Sequence, residues 1–346
     1  MNNIVNKKLV PDEIISVAPM MDCTDRHFRR FIRFMSEKTF LYTEMIYSGA
    51  ILKGDKKRFL SFDPAEAPIA IQLGGNDPDE LAESAKIAQD WGYSEVNLNL
   101  GCPSPRVKSG GFGAYLMKDP DLVTEIYTKM SAAVSIPVTI KVRTGVDDLD
   151  SFEYFYEFIQ NMSEVGCKKI IIHARKACLT KFTPKQNRQI PPLEYDKAQK
   201  IKELFPHLKI IVNGGITTFE QAKEMLNSFD GVMIGRAAYH SPLMFTEADP
   251  VFYSQQSALN DLENLIDLIT EYMGQDKEKL GTPVRVYAKH LLNFFRGWKK
   301  SGQYRKHISD FLLTNSEDIN FFRRAAIPLL EDNSAMSETL FANTSE

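Results

Sequence analysis

The segment Val96-Asn97-Leu98-Asn99-Leu100-Gly101-Cys102-Pro103 contains a strand pattern that ends at a cysteine. Apolar residues alternate with Asn97 and Asn99, which is the period-two pattern of a strand whose polar side chains share one face. Gly101 and Pro103 end the strand and restrict the backbone around Cys102. The segment therefore predicts a thiol at the C-terminal end of a strand. A free cysteine is most often a small buried hydrophobic residue, so this segment alone does not establish a site.

Similar short β-branched runs occur on both sides of this segment and alternate with helical patterns. Candidate strands lie at 15–19, 41–43, 69–73, 95–99, 138–143, 169–174, 209–213 and 232–235. Amphipathic segments between them include 78–91, 122–133, 152–165 and 219–226. Eight such units in about 245 residues predict an α/β fold, a (β/α)8 TIM barrel. A doubly wound open sheet is the alternative, but no Gly-x-Gly-x-x-Gly follows the first strand.

The pattern changes after Ser241-Pro242, where β-rich runs stop. Helices are expected at 262–273, 284–296, 304–313 and 318–330, enough for a small bundle that packs against the barrel. We therefore divide the chain into a barrel domain (1–245), a linker (246–259), a helical domain (260–335) and a flexible tail (336–346).

Composition is that of an ordinary soluble protein, with 43% hydrophobic and 25% charged residues among 346. No apolar run reaches the roughly 18 residues of a membrane helix, and the first residues lack the apolar core of a secretion signal. The four cysteines show neither metal-ligand nor redox-pair spacing, so we expect reduced thiols, no metal and a cytoplasmic location. A monomer is expected. The net charge of −3 argues weakly against a nucleic-acid partner, but it averages over strong local asymmetry.

Polar side chains end five of the predicted strands. They are Gln72, Asn99, Lys141, His173 and Asn213. Since a barrel interior is normally packed with branched apolar residues, these five predict a ring of hydrogen-bonding groups and one cation at the C-terminal end of the barrel. Any one of them alone, such as His173, is more often a satisfied core residue.

Two glycine-containing turns follow the seventh and eighth strands. They are Asn213-Gly214-Gly215 and Gly235-Arg236. Loops at these positions are the usual phosphate site of this fold, because glycines let backbone N–H groups approach an anion and an arginine adds charge. A phosphorylated cofactor and a phosphorylated substrate fit equally well, and ordinary tight turns are the simpler alternative.

Taken together, these blocks resemble the tRNA-dihydrouridine synthases, flavoenzymes that reduce uridine in tRNA. The blocks are Ala18-Pro19-Met20-Met21-Asp22, Gln72-Leu73-Gly74-Gly75, 97–105, Lys141-Val142-Arg143, Asn213-Gly214-Gly215 and Gly235-Arg236. Within the family the chain is most similar to the bacterial A-type, which modifies D-loop uridine (U20 or U20a). The stretches His173-Ala174-Arg175-Lys176-Ala177 and 184–193 carry that closer similarity.

The resemblance implies a role for each site residue. Pro19, Met20 and Met21 would line the ring of FMN, and Gln72, Lys141 and His173 would bind the cofactor. Gly214, Gly215, Gly235 and Arg236 would hold its phosphate, with Asn213 nearby. Cys102 would donate a proton to C5 of uracil after hydride transfer from FMN N5 to C6, and Asn99 would lie beside the base. NADPH, or NADH, would reduce the FMN. A thiol, which is mostly protonated at neutral pH, suits such a general acid.

Two acid-free basic stretches predict where tRNA binds. Each of the stretches 167–193 and 281–307 contains seven Lys or Arg residues and no Asp or Glu. The first supplies Arg175, Lys176, Lys185 and Arg188, and the second supplies Arg296, Lys299 and Lys300. The second also contains Phe294, Phe295, Trp298 and Tyr304, which we interpret as surfaces for base stacking. Either stretch alone would be read as a solvated face, but the two together favour a shared phosphate-binding cleft.

Some positions depart from the A-type pattern. Cys23 and Cys178 stand where Trp is usual, Pro105 and Gly111 replace polar residues, and His240-Ser241 replaces a Gln-Asn pair. Two other classes remain open at this point. One is a flavin barrel acting on a free pyrimidine, similar to dihydroorotate dehydrogenase, and the other is a barrel that binds RNA without catalysis.

Overall fold

Eight parallel strands form a closed ring. The computed structural model describes residues 13–257, 259 and 261–334, so the predicted tail and the first twelve residues lie outside the described part. The strands are β1 (Ile15–Val17), β2 (Leu41–Tyr47), β3 (Ile69–Gly74), β4 (Glu95–Leu100), β5 (Val138–Arg143), β6 (Lys169–His173), β7 (Lys209–Asn213) and β8 (Gly231–Ile234). They pair in the order β1-β8-β7-β6-β5-β4-β3-β2. Val17 N donates to Phe40 O and Phe40 N to Ile15 O, both at 3.0 Å, which joins β1 to the residue before β2. The predicted (β/α)8 barrel is confirmed, and the open sheet is excluded.

Helices connect the strands and continue beyond them. They are α1 (Arg26–Met35), α2 (Ser48–Lys53), α3 (Lys56–Leu60), α4 (Pro78–Asp90), α5 (Pro105–Ser109), α6 (Pro120–Ala133), α7 (Phe152–Glu164), α8 (Tyr195–Leu204), α9 (Phe219–Leu226), α10 (Arg236–His240), α11 (Ala248–Tyr253), α12 (Leu262–Leu280), α13 (Val284–Leu291), α14 (Ser301–Leu312) and α15 (Phe321–Glu331). Short 3-10 turns lie at Pro64–Glu66, Gly113–Lys118, Gln186–Arg188 and Pro242–Glu247. None of the helices within these described ranges is long and apolar enough to cross a membrane.

The largest difference from the predicted strands is in β2. The alternation of apolar residues stops at Thr43-Glu44, so the sequence predicts a strand ending there, whereas β2 continues to Tyr47. A bulge explains the difference, because the register with β3 shifts between Tyr42 and Met45. The Thr43 hydroxyl accepts a hydrogen bond from the backbone N–H of Gln72 at 3.0 Å, which holds the bulge against β3.

The stretch predicted as a linker is partly helical. Helix α11 lies within 246–259, and its Asp249 is buried. That carboxylate accepts hydrogen bonds from Ser36 Oγ at 2.5 Å and Glu37 N at 2.7 Å, just beyond the end of α1. The stretch is therefore fixed to the barrel rather than extended between two bodies.

The helices of the C-terminal part differ in length from those predicted. Helix α12 continues seven residues past Met273 to Leu280, because Gly274 is followed by good helix formers such as Gln275, Lys277 and Glu278, and it ends at Gly281 with φ +68°. Helix α13 ends at Leu291 instead of residue 296, and turns follow, with Gly297 at φ +89°.

Polar contacts dock these helices onto α1. Arg26 Nη2 lies 2.9 Å from Asp276 Oδ1, and His27 Nδ1 lies 2.8 Å from the Tyr272 hydroxyl. Asp25, which caps α1, pairs with Lys289 Nζ at 2.8 Å and His290 Nε2 at 2.9 Å. Burial alone would raise the pKa of Asp25, but the hydrogen bond and charge of His290, with Lys289, lower it below its usual range. These C-terminal helices, α12 to α15, form the helical part of the chain. The helical part therefore meets the barrel at α1.

Candidate active site

The five polar residues predicted at strand ends lie together at the C-terminal end of the barrel. The parallel registers pair Asn99 with Lys141 and His173 with Asn213, and Gln72 pairs with Asn97 of β4. Gln72, Asn99, Lys141 and Asn213 are buried, and His173 is half-buried. The structure therefore brings all five to one end, as their strand positions predict.

Amide side chains form a hydrogen-bonded chain across β3, β4 and β5. Asn99 Nδ2 donates to Gln72 Oε1 at 2.7 Å, and Gln72 Nε2 donates to Asn97 Oδ1 at 2.8 Å. Asn97 Nδ2 then donates to Thr139 Oγ1 at 2.9 Å. Since each amide is held by the next, Asn99 is fixed in one orientation. Asn97 and Thr139 were not predicted as site residues, although Asn97 lies on the same face of β4 as Asn99.

The barrel interior at the N-terminal ends of the strands is also polar, although apolar packing was expected there. Thr139 Oγ1 donates to Glu95 Oε1 at 2.6 Å, and Lys169 Nζ lies 2.5 Å from Glu95 Oε2. Lys169 also contacts Glu13, and the Tyr42 hydroxyl donates to both glutamates. Burial lowers the pKa of Lys169, but the two carboxylates outweigh it, and the pKa rises above its ordinary value. This layer supports the amide chain above it.

Cys102 lies on the loop after β4, and hydrogen bonds hold both its backbone N–H and its backbone carbonyl. Its N–H donates to Asn99 Oδ1 at 3.0 Å, and its carbonyl accepts from Ala114 N at 3.0 Å. Gly113, at φ +64°, packs so closely that a Cβ there would lie 2.7 Å from Cys102 O. The side chain is half-buried at the end of β4. The thiol is therefore at the mouth of the barrel and not within its aliphatic core.

Lys141 is a buried amine facing the same mouth. Its Nζ donates to Asn213 Oδ1 at 2.9 Å, and Asn213 Nδ2 donates to Met233 O at 2.7 Å. Burial, with the Arg143 charge adding to it, lowers the pKa of Lys141 to about 7. Burial also lowers the pKa of His173 well below its ordinary value, and Arg143 and Lys141 add to the effect, so His173 is a neutral imidazole at pH 7.

Arg143 is a site residue that the sequence analysis did not select. It is 3% exposed, and its Nε donates to Gly101 O at 3.1 Å while its Nη1 donates to Asn187 O at 3.1 Å. Arg143 thus connects the Cys102 loop to the basic loop after β6. Burial lowers its pKa to about 10, so it remains a cation at neutral pH. Its position two residues after Lys141 on β5 was the available signal.

The glycine turns and the loop after β1 complete the rim. Gly214 and Gly215 have φ of +115° and +75°, and a Cβ on Gly214 would lie 2.8 Å from His173 Cδ2. Gly235 lies at the end of β8, and Arg236 Nη2 donates to Arg188 O at 3.1 Å. Pro19 and Met20 are half-buried and Met21 is exposed on the loop after β1. The predicted cofactor residues therefore lie around the C-terminal end of the barrel.

The predicted basic residues divide into two groups. Lys176 pairs with Asp150 at 2.5 Å, and Lys300 pairs with Asp332 at 2.8 Å. Arg175 is half-buried and donates to Pro191 O. The exposed members are Lys185, Arg188, Arg296, Lys299 and the paired Lys300. Burial lowers the pKa of His240, and the charges of Arg296 and Arg236 lower it further, so one cation from each part of the chain acts electrostatically on the same residue.

The stacking surfaces predicted in the second basic stretch are wrong. Phe294, Phe295 and Tyr304 are each 1% exposed and Trp298 is 8% exposed. Phe294 and Phe295 pack against Phe322 with ring centroids 5.7 and 6.5 Å apart. The aromatic residues form the core of the helical part, because a bundle this small needs large side chains to bury enough apolar area.

Comparisons with known proteins identify similar sequences. A sequence profile described as dihydrouridine synthase (Dus) matches residues 16–327. The tRNA-dihydrouridine(20/20a) synthase of Synechocystis sp. is 47% identical over 302 residues, which cover 87% of this chain and 90% of that protein. The protein of the same name from Vibrio cholerae serotype O1 is 46% identical over 297 residues, covering 86% and 90%. The solved structure of the old yellow enzyme homologue from Zymomonas mobilis covers 73% of this chain and 92% of its own, with TM-score 0.50 and 12% identity, and shares the fold.

Proposed function

This chain belongs to the dihydrouridine synthase family, and from this we propose that it reduces uridine 20 or 20a of tRNA to 5,6-dihydrouridine with FMN and NADPH. The observation that most directly supports this proposal is the position of Cys102. Its backbone is fixed by Asn99 and Ala114 at the mouth of the barrel, beside a buried amine and a chain of oriented amides. A thiol held at the polar C-terminal end of the barrel is suited to general-acid catalysis.

The residues at the mouth fit a flavin nucleotide. Buried Lys141 has only Asn213 as a hydrogen-bond partner among the described residues, so it can receive an anionic or carbonyl group. A Cβ on Gly214 would lie 2.8 Å from His173 Cδ2, so a glycine there lets the neutral His173 ring pack directly on the turn after β7. Gly215, Gly235 and Arg236 would hold the phosphate, Pro19 to Met21 would line the ring, and Gln72 would bind its polar edge. When bound, FMN supplies the hydride chemistry, from NADPH to C6 of uracil.

Within this arrangement the protein positions the base and moves one proton. The C5=C6 bond of uracil is conjugated with the C4 carbonyl, so addition of hydride at C6 leaves C5 in need of a proton. The Cys102 thiol donates that proton to C5, and the thiolate takes up another proton from solvent. Asn99 Oδ1 accepts from the backbone N–H groups of Gly101 and Cys102, so the amide beside the base also orients the backbone of the proton donor.

We infer that exposed cations of the barrel and of the helical part bind the tRNA backbone. Arg188 and Lys185 lie on the loop after β6, and Arg296 and Lys299 lie on the helical part. Asp25 and Arg26 at the start of α1 pair with Lys289 and Asp276, which joins the helical part that carries Arg296 and Lys299 to the barrel that carries Cys102. The uridine must leave its stack to reach the mouth, which costs a few kcal/mol and less in a loop.

Replacing the thiol tests the proposal. We expect Cys102→Ala to retain bound flavin and NADPH oxidation but to lose dihydrouridine in tRNA, measured by nucleoside mass spectrometry. Cys167→Ala is the matched control, because Cys167 is fully buried at the start of β6, far from the mouth. Wild-type turnover by Cys102→Ala would refute the proton-donor role. A colourless wild-type protein that NADPH does not react with would refute the flavin proposal.

A further inference from the structure

The bulge in β2 changes which side chains face the barrel mouth. Tyr42 pairs with Ala70, but Met45 then pairs with Gln72 and Tyr47 with Gly74. Three steps along β2 therefore match two along β3, which reverses the alternation of inward and outward side chains. Met45 and Tyr47 take the register of inward-facing Gln72. Tyr47 is the last residue of β2, so its ring lies at the rim and not inside the barrel.

The Tyr47 ring is held in one orientation while much of it is exposed. It stacks on Phe112, with ring centroids 5.5 Å apart and planes 26° apart. A Cβ on Gly49 would lie 2.5 Å from Tyr47 Cε1, so only glycine leaves room for the ring there. Tyr47 is nevertheless 46% exposed, whereas Phe112 is 7% exposed. Phe112 thus supports the ring, and a large aromatic surface remains open to solvent.

The supported ring is next to the Cys102 loop. Phe112 precedes Gly113, whose Cβ position would lie 2.7 Å from Cys102 O and 3.4 Å from Cys102 Cβ. A Cβ on Gly74 would lie 3.0 Å from Phe112 Cε2, so Phe112 packs directly on the end of β3. Tyr47 and Cys102 are therefore connected through one aromatic residue and one close backbone contact.

We propose that Tyr47 stacks with the nucleobase adjacent to the uridine that is reduced. The inference rests on the proposed function and adds a binding residue for its substrate. A uridine that leaves its stack exposes the face of a neighbouring base, and an oriented aromatic ring can cover that face. The Tyr47 ring is oriented by Phe112 while 46% of the residue stays exposed, so part of an ordered aromatic surface is available to such a base.

Substitutions at Tyr47 separate stacking from structure. Tyr47→Leu keeps an apolar contact with Phe112 but removes the flat ring, and Tyr47→Phe keeps the ring. From typical base–aromatic stacking, we expect Tyr47→Leu to raise the KM for tRNA by roughly 5- to 150-fold. Tyr47→Phe should stay within about twofold of wild type, because the phenyl face alone supports stacking. Flavin content and the KM for NADPH should not change in either variant.

Trp91→Ala is the matched control. Trp91 is 36% exposed at the end of α4, which places it at the opposite end of the barrel, and its removal should leave the KM for tRNA unchanged. A tRNA with 2-aminopurine beside the target uridine gives an independent readout, since stacking on Tyr47 should quench its fluorescence in wild type but less in Tyr47→Leu.

Each failure has its own signature. An active wild type with an unchanged tRNA KM in Tyr47→Leu would refute the stacking role and leave the proposed function intact. A raised KM for NADPH in place of tRNA would also refute it, because the ring would then serve the reductant. A wild type that forms no dihydrouridine would refute the proposed function itself.

Discussion

Replacing Lys141 with methionine should make the flavin-free protein more stable, and by an amount that depends on pH. Lys141 is 8% exposed, and burial lowers its pKa from 10.5 to about 7. Below pH 7 both the folded and the unfolded chain carry the proton, so the full cost of burying the ammonium applies. A pKa difference of this size corresponds to about 5 kcal/mol at most.

The sign of the pH dependence follows from proton binding. As pH rises from 7 towards 10.5, the folded state releases the proton and the unfolded state keeps it, so the free energy of unfolding of the wild type rises. The remaining cost at pH 9 is about 2 kcal/mol. Lys141→Met has no such titration. Its stability advantage over wild type should therefore be about 3 kcal/mol larger at pH 6 than at pH 9. Loss of the hydrogen bond to Asn213 costs about 1 kcal/mol, largely independent of pH.

Urea unfolding of flavin-free wild type and Lys141→Met at pH 6, 7.5 and 9 measures this difference. Lys57→Met is the control, because Lys57 is exposed on α3 and its replacement should not produce the same pH dependence. A difference between Lys141→Met and wild type that stays constant across the three pH values would refute the reasoning. Repeating the titration with FMN should reduce the pH dependence, since an anionic group at Lys141 favours its protonated form.

Three further predictions concern how the site is held and where RNA binds. Arg143→Lys cannot contact Gly101 O and Asn187 O together, so dihydrouridine formation should fall roughly 10- to 100-fold at unchanged flavin content, and full activity by nucleoside analysis would contradict this. Lys299→Glu with Lys300→Glu should weaken tRNA binding and flatten its salt dependence in filter-binding titrations, whereas an unchanged slope would exclude the helical part from the footprint. Asp25→Asn should lower the free energy of unfolding by about 2 kcal/mol in urea, because Lys289 and His290 lose their carboxylate partner, and unchanged stability would show that the contact contributes nothing.

The barrel was predictable because its pattern is local and repeated. Each strand is a short β-branched run followed by a helix, and seven of the eight strands begin and end within two residues of the prediction. β2 is the exception, because Thr43 and Glu44 interrupt the alternation and the bulge that accommodates them depends on pairing with β3. The lengths of α12 and α13 were less predictable, since their ends depend on glycine conformations and tertiary packing.

The site residues that could be predicted are those whose polar side chains occupy inward positions at the ends of strands. Gln72, Asn99, Lys141, His173 and Asn213 are polar at inward positions, and the structure brings them to one end. Arg143 was missed because its importance comes from contacts with carbonyls of two loops distant in sequence. The aromatic residues of the second basic stretch were misassigned because a pattern of alternating cations and rings does not distinguish a binding surface from a small core.

The contacts of α1 with the helical part have a consequence for selectivity. Asp25 begins the helix that leaves the loop after β1, and its neighbour Arg26 holds Asp276. If RNA binds across both parts, the distance from the helical part to the Cys102 thiol determines which nucleotide of the bound RNA reaches the thiol. A nucleotide would then be selected by its distance from the rest of the folded RNA. The identities of the neighbouring nucleotides would matter little.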